Sequence, residues 1–123
     1  MDLSRTAIME VYQSKEDTYI TLTIDGELDA SSCVVLDESI QQVVNDGEKR
    51  ILVDCKQLSY ISSAGLGVFM SYLQDFKAND IRMVLFNMNP QVKEVFRILG
   101  LDNLIKILPT KDDAKLLAHA ATF

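Results

Sequence analysis

The chain has 123 residues, a length that suits one domain built around one core. Hydrophobic residues make up 48% and charged residues 24%, the balance of a globular chain, and the net charge is −6. That acidity argues against nucleic acid and against an anionic membrane surface, which both call for basic faces, and it suits a partner with a basic surface.

No stretch reaches the ~18 apolar residues of a membrane span. Met1-Asp2-Leu3-Ser4-Arg5 lacks the basic start and apolar run of a signal peptide, so a cytoplasmic location is expected. Cys33 and Cys55 are spaced neither as a metal knuckle nor as a redox pair and read as two reduced thiols.

In chain order, residues 6–13 carry Ile8, Val11 and Tyr12 and read as a short strand. Glu16-Asp17 reads as a turn. Tyr19 to Ile24 alternates, with Ile20, Leu22 and Ile24 on one face, and forms a second strand in an antiparallel hairpin with the first. After Gly26-Glu27-Leu28-Asp29 breaks the alternation, Ser31 or Ser32 caps a helix over 32–45, with Val35, Leu36, Ile40, Val43 and Val44 at helical spacing. Asp46-Gly47 ends it. Arg50–Asp54 is a buried strand parallel to the one before.

A second helix runs roughly from Ala64 to Ala78, with an apolar stripe of Leu66, Met70, Leu73 and Phe76. Arg82–Phe86 is another buried strand. Pro90 opens a third helix, with Val92, Val95, Phe96 and Leu99 on one side and Gly100 at its close. Leu104–Leu108 is a short strand halted by Pro109. Thr110 caps a last helix whose apolar side includes Ala114, Leu117 and Ala118. The resulting β-β-α-β-α-β-α-β-α order predicts an α/β fold, with a mixed, mostly parallel sheet of four to five strands and about four helices. Function in such sheets gathers outside the C-terminal strand ends. Three loops fall there: Gly26 to Ser32, Asp54 to Ser63, and Asn87 to Pro90.

The chemistry concentrates at Tyr60-Ile61-Ser62-Ser63-Ala64-Gly65-Leu66-Gly67-Val68, where a strand hands over to a helix. Ser63 precedes the expected helix start and reads either as an N-cap, worth about 1 kcal/mol, or as a phosphate acceptor. Glycine in a helix start costs about 0.5–1 kcal/mol relative to alanine, and Gly65 and Gly67 leave room for an incoming group. A phosphate on Ser63 would lie at the positive end of the helix dipole. Leu66, Phe69 and Met70 read as core, or as a docking patch beside Ser63. Asp29 and Asp54, near strand ends, read as solvated loop residues or as a metal pair. His119 is the one histidine and lies in the last helix, so no Ser-His or Cys-His nucleophile system is supported. No phosphate-binding loop motif occurs, and no cofactor or metal is expected.

The chain resembles the STAS domain family, and within it the bacterial single-domain anti-sigma factor antagonists. Three stretches carry the resemblance: Leu22 to Asp29; Ile51-Leu52-Val53-Asp54 and Leu58 to Val68; and Asn89 to Phe96 with Gly100-Leu101. They span nearly the whole chain in order, which implies a single STAS domain over 1–123. The resemblance implies a partner switch. The dephosphorylated antagonist binds an anti-sigma factor that is also an ATP-dependent serine kinase, and frees a sigma factor. Phosphorylation of one serine releases the antagonist, and a PP2C-type phosphatase restores it. The family pattern is Asp-Ser-Ser/Thr-Gly-Leu-Gly. Aligned on Gly65-Leu66-Gly67, it places the phosphoserine on Ser63, with Ser62 as the second choice, and Asp29 beside it. The partner-facing set is then Asp29, Ser62, Ser63, Ala64, Gly65, Leu66 and Gly67. A monomer or weak dimer is expected.

Two departures stand out. Ser62 replaces the acidic residue, removing a charge and adding a hydroxyl. Ala64 replaces the following hydroxyl, favouring Ser63 over its C-terminal neighbour. The alternatives are a STAS scaffold or transporter-linked module not controlled by phosphorylation, a receiver-type domain phosphorylated on Asp54, and an enzyme acting on a small ligand between the strand-end loops.

Overall fold

A strand of nine residues, β2 (Ile20–Leu28), organises the domain. The computed structural model describes residues 9–123, so residues 6–8 of the expected first strand and the Met1–Arg5 segment lie outside the described residues. Along β2, Ile20, Leu22, Ile24 and Leu28 are all buried and point to one face, as the alternation requires. On one side β2 pairs antiparallel with β1 (Glu10–Lys15). On the other it pairs parallel with β3 (Arg50–Asp54). The hairpin register places Lys15 opposite Ile20, with a turn closed by Glu16 N–H donating to Tyr19 O at 2.9 Å. That register carries β1 past the expected end at residue 13 into Ser14 and Lys15, which an exposed edge strand tolerates.

The sheet continues through β5 (Arg82–Phe86) to β6 (Lys106–Leu108), both parallel, in the order β1-β2-β3-β5-β6. A sixth strand, β4 (Leu58–Ile61), lies off this path and pairs with the far end of β2. The sequence reads this stretch as loop. Its exposure runs buried, exposed, exposed, buried, so it carries no alternation. Backbone pairing of Gly26–Leu28 with Leu58–Ile61, across a register shift after Gly26, makes it a strand.

Three helices cover one face: α1 (Cys33–Asn45), α2 (Ser63–Ala78) and α3 (Pro90–Ile98). Their inward side chains, among them Leu36, Ile40, Phe69, Phe76 and Phe96, pack on Ile51, Val53, Met83 and Leu85. On the opposite face α4 (Lys111–Ala118) is the one helix among the described residues, packing through Ala114 and Ala118 on Tyr19, Leu52, Val84 and Phe86. Burial on both faces is why β3 and β5 read as unbroken apolar runs. Two expected core residues lie outside. Val35 is 37% exposed on α1, and Leu99 is 58% exposed because α3 stops at Ile98 before the left-handed Gly100. A 3-10 turn at Leu101–Asn103 then leads into β6, which is shorter than expected. Asn89 Oδ1 accepts from Val92 N–H at 2.8 Å, with Pro90 at the helix start, and Thr110 Oγ1 accepts from Asp113 N–H at 3.1 Å. Both cysteines are free; Cys55 is wholly buried, and burial pushes its thiol pKa up.

Candidate functional site

The pairing of β4 with β2 builds the site. It sets Leu28 opposite Ile61, so the residues that follow, Asp29 and Ser62, emerge side by side at the C-terminal end of the sheet. Ser62 N–H donates to Leu28 O at 2.9 Å and ties the two segments together. Asp29 and the Ser62-Ser63 pair, 33 residues apart for the nearer serine, thereby become neighbours.

Ser62 is the N-cap of α2. Its backbone is extended, and its Oγ accepts from Gly65 N–H at 3.4 Å. Leu66 N–H closes the first turn onto Ser62 O at 3.0 Å. The expectation that Ser63 caps this helix is corrected: Ser63 is the first helical residue, one position further in. It is exposed, and its hydroxyl makes no hydrogen bond among the described residues. The two serines are therefore unlike. One is half-buried and engaged in the cap; the other presents a free hydroxyl beside the unpaired N–H groups of the helix start.

The two glycines also differ. A Cβ on Gly65 would lie 2.7 Å from Leu28 Cγ and 2.9 Å from Leu28 O. Gly65 therefore lets α2 close onto the end of β2, and its space is already filled. A Cβ on Gly67 would meet nothing within 4 Å. Gly67 alone leaves the open room that the sequence suggests for both. Leu66 is 5% exposed and Phe69 is 0% exposed, so of the two readings of Leu66, Phe69 and Met70 the core one holds and the docking patch does not. Both side chains enter the core, and Met70 is half-buried. Of the partner-facing set, Ser63 and Gly67 are exposed, Asp29, Ser62 and Ala64 are partly so, and Gly65 and Leu66 lie beneath them.

Asp29 is a loop organiser. Its Oδ1 accepts from Ser31 Oγ at 2.8 Å, Ser31 N–H at 2.9 Å and Ser32 N–H at 3.0 Å. The Ser32 hydroxyl accepts from Asp29 N–H at 3.0 Å and donates to Glu27 O at 2.7 Å. The Ser31 hydroxyl and the Ser32 N–H hold the Asp29 carboxyl below the usual aspartate range. Ser32 occupies the cap position of α1 without making a side-chain cap bond. The Asp29 carboxylate binds the Ser31 and Ser32 N–H groups just ahead of the helix, while Asp29 O accepts from Cys33 N–H at 2.8 Å, which holds the carboxylate near the helix end that favours negative charge. The Asp29-Ala30-Ser31-Ser32 spacing is the signal the sequence reading passed over, since an aspartate bonding the N–H groups two and three residues on is a recurrent turn.

Asp54 serves the neighbouring loop. Its Oδ1 accepts from Lys56 N–H at 3.0 Å and from Asn87 Nδ2 at 3.4 Å. Asn89 Nδ2 donates to Leu58 O at 2.9 Å, joining the third loop to β4. No group of three or more His, Cys, Asp and Glu side chains able to hold a metal occurs among the described residues. His119 lies at the other end of the sheet, with Nε2 2.6 Å from Thr18 Oγ1 in the β1–β2 turn. No helix of the described residues is long and apolar enough to cross a membrane.

These features define a small α/β module that presents one serine at a helix start beside a tightly bonded acidic loop. The STAS domain model matches residues 9–114, and the chain belongs to that family. It is similar to an anti-sigma-B factor antagonist of Staphylococcus aureus, 26% identical over 80% of this chain and 92% of the relative. The crystal structure of an anti-sigma factor antagonist from Mycobacterium paratuberculosis superposes with a TM-score of 0.85 at 20% identity, covering 96% of this chain and all of the other. The antagonist SpoIIAA matches in its unphosphorylated form with a TM-score of 0.72 at 21% identity, covering 87% of this chain and 94% of that one. The Bacillus SpoIIAA in its phosphorylated form matches with a TM-score of 0.64 at 21% identity, covering 88% and 96%. The family match does not extend to the receiver-type reading of Asp54, whose carboxylate braces a loop.

Proposed function

We propose that this chain is an anti-sigma factor antagonist switched by phosphorylation of Ser63. Its unphosphorylated form binds an anti-sigma factor that is itself an ATP-dependent serine kinase, and this frees a sigma factor. The kinase transfers the γ-phosphoryl group of ATP to Ser63 Oγ. The bond from phosphorus to ADP breaks, the Oγ–P bond forms, and the hydroxyl proton leaves to the kinase's base. A PP2C-type phosphatase hydrolyses the phosphoserine and resets the switch.

The observation that carries this reading is the contrast between the two serines: Ser62 is engaged as the cap, while Ser63 is exposed with a free hydroxyl. The names of the relatives support the antagonist role, and the two forms of SpoIIAA support a phosphate switch in that protein. A phosphate adds a charge of about −1.5 to −2, which a helix N-terminus tolerates. The fold therefore need not rearrange. At a desolvated contact the same charge disfavours the partner by several kcal/mol. Gly67 fits this reading, because a glycine inside a helix costs about 0.5–1 kcal/mol relative to alanine and nothing in the fold needs it. Its bare backbone suits a partner passing close to Ser63.

The test is a pull-down with the unphosphorylated chain, followed by ATP addition and phosphopeptide mapping. Phosphate on Ser63, with release of the captured kinase, is the expected result. Phosphate on another residue, or a Ser63→Glu variant that binds the kinase as tightly as the parent, would overturn the proposal.

A further inference from the structure

The pole of the sheet opposite Ser63 carries a cavity of about 590 Å³, at the N-terminal ends of β5 and β6 and the C-terminal end of α2. Pockets for small ligands span about 300–1,000 Å³. Its apolar lining is Leu73, Phe76, Ile81, Met83 and Ile105. Lys77, Arg82 and Lys106 line it as well, with Asp80, Leu104 and Phe123. The chain as a whole has 18 acidic and 12 basic residues, yet this cavity has three cations to one acid.

The three cations are not equivalent. Arg82 Nη1 donates to Ala118 O at 3.0 Å and also to Ala120 O, so it is anchored to the end of α4. Lys77 and Lys106 are exposed and join no ion pair among the described residues. The Phe123 ring lies 5.2 Å from Arg82 Cζ and 5.6 Å from Lys106 Nζ, showing that an aromatic body fits beside these charges. Leu104 is 61% exposed, which leaves an apolar side chain at the margin that the described residues do not cover.

We propose that this cavity binds a small amphipathic anion. Its head lies between Lys77 and Lys106, and its apolar body lies against Leu73, Leu104 and Phe123, over a floor of the buried Phe76, Met83 and Ile105. Charge complementarity selects the head, and the apolar lining selects the body. The site is separate from the Ser63 switch.

Decanoate serves as the probe, titrated into the full chain and followed by amide chemical shifts. Saturable shifts confined to Leu73–Lys77, Asp80–Met83 and Asn103–Lys106 are expected, together with a raised thermal midpoint. The double substitution Lys77→Glu, Lys106→Glu, at exposed positions that leave the fold intact by circular dichroism, weakens binding at least about tenfold, a cost of ~1.4 kcal/mol. Decanol, which has the same body without the charge, binds more weakly by a similar factor. Four outcomes would overturn the proposal: shifts at the Ser63 pole or scattered over the surface, unchanged affinity in the double variant, equal binding of decanol, or the same residues shifting with protein concentration alone.

Discussion

Replacing Gly65 by alanine tests how the switch region is assembled. The added Cβ would lie 2.7 Å from Leu28 Cγ, 3.0 Å from Leu28 Cδ2 and 2.9 Å from Leu28 O. Leu28 is wholly buried, so its side chain has no free space to swing into. Its carbonyl already accepts the Ser62 N–H bond that joins β2 to the start of α2. Overpacking of this kind costs about 1–3 kcal/mol, and weakening the hydrogen bond costs about 0.5–1.5 kcal/mol. The gain in helix propensity returns only about 0.5–1 kcal/mol. The net expectation is a loss of about 0.5–4 kcal/mol, centred on ~2 kcal/mol and read as a lower urea midpoint at constant m-value. Gly67→Ala is the internal control. It meets nothing, gains about 0.5–1 kcal/mol from propensity, and under the proposed function still weakens partner binding. If Gly65→Ala were as stable as the parent, the close approach of α2 to Leu28 would be refuted.

Ser62→Ala, which removes the cap acceptor, should lose about 0.5–2 kcal/mol, whereas Ser63→Ala should stay within about 0.5 kcal/mol of the parent; parallel urea titrations check both. Asp29→Asn removes the charge that the Ser31 and Ser32 donors favour. Because the folded carboxyl titrates below the unfolded value of about 3.9, its contribution is whole above that value and is lost as pH falls through the folded pKa. The parent should therefore lose more stability than Asp29→Asn between neutral and acid pH, and parallel acid-side curves for the two would contradict the bonding described. The Tyr72 hydroxyl donates to the Asp37 carboxylate and joins α2 to α1. Burial first, and that carboxylate second, push its phenol up to about 12, so the tyrosinate absorbance titration should lose a late-titrating component in Tyr72→Phe.

Much of the architecture is written locally. The unbroken apolar runs of β3 and β5 can be satisfied only by cover on both faces, which the helices provide. Asn89-Pro90 and Thr110 announce helix starts because a side-chain acceptor and a fixed φ act within a few residues. The strand–helix alternation then sets the parallel order and the end of the sheet where the loops gather. The Ser62-Ser63 segment is legible as a helix start for the same reason.

Tertiary structure decided what that start is. β4 holds only two buried residues, Leu58 and Ile61, and becomes a strand because its backbone finds a partner some thirty residues earlier in β2. A pairing of that sequence separation leaves no periodic trace in four residues. Yet it brings Asp29 beside Ser62, fixes Ser62 rather than Ser63 as the cap, and makes Gly65 a packing requirement. The sequence alone determined that a serine would stand at a helix N-terminus. Which serine kept a free hydroxyl was decided by a backbone pairing between distant strands, because a cap forms where the backbone turns, and β4 sets that turn at Ser62.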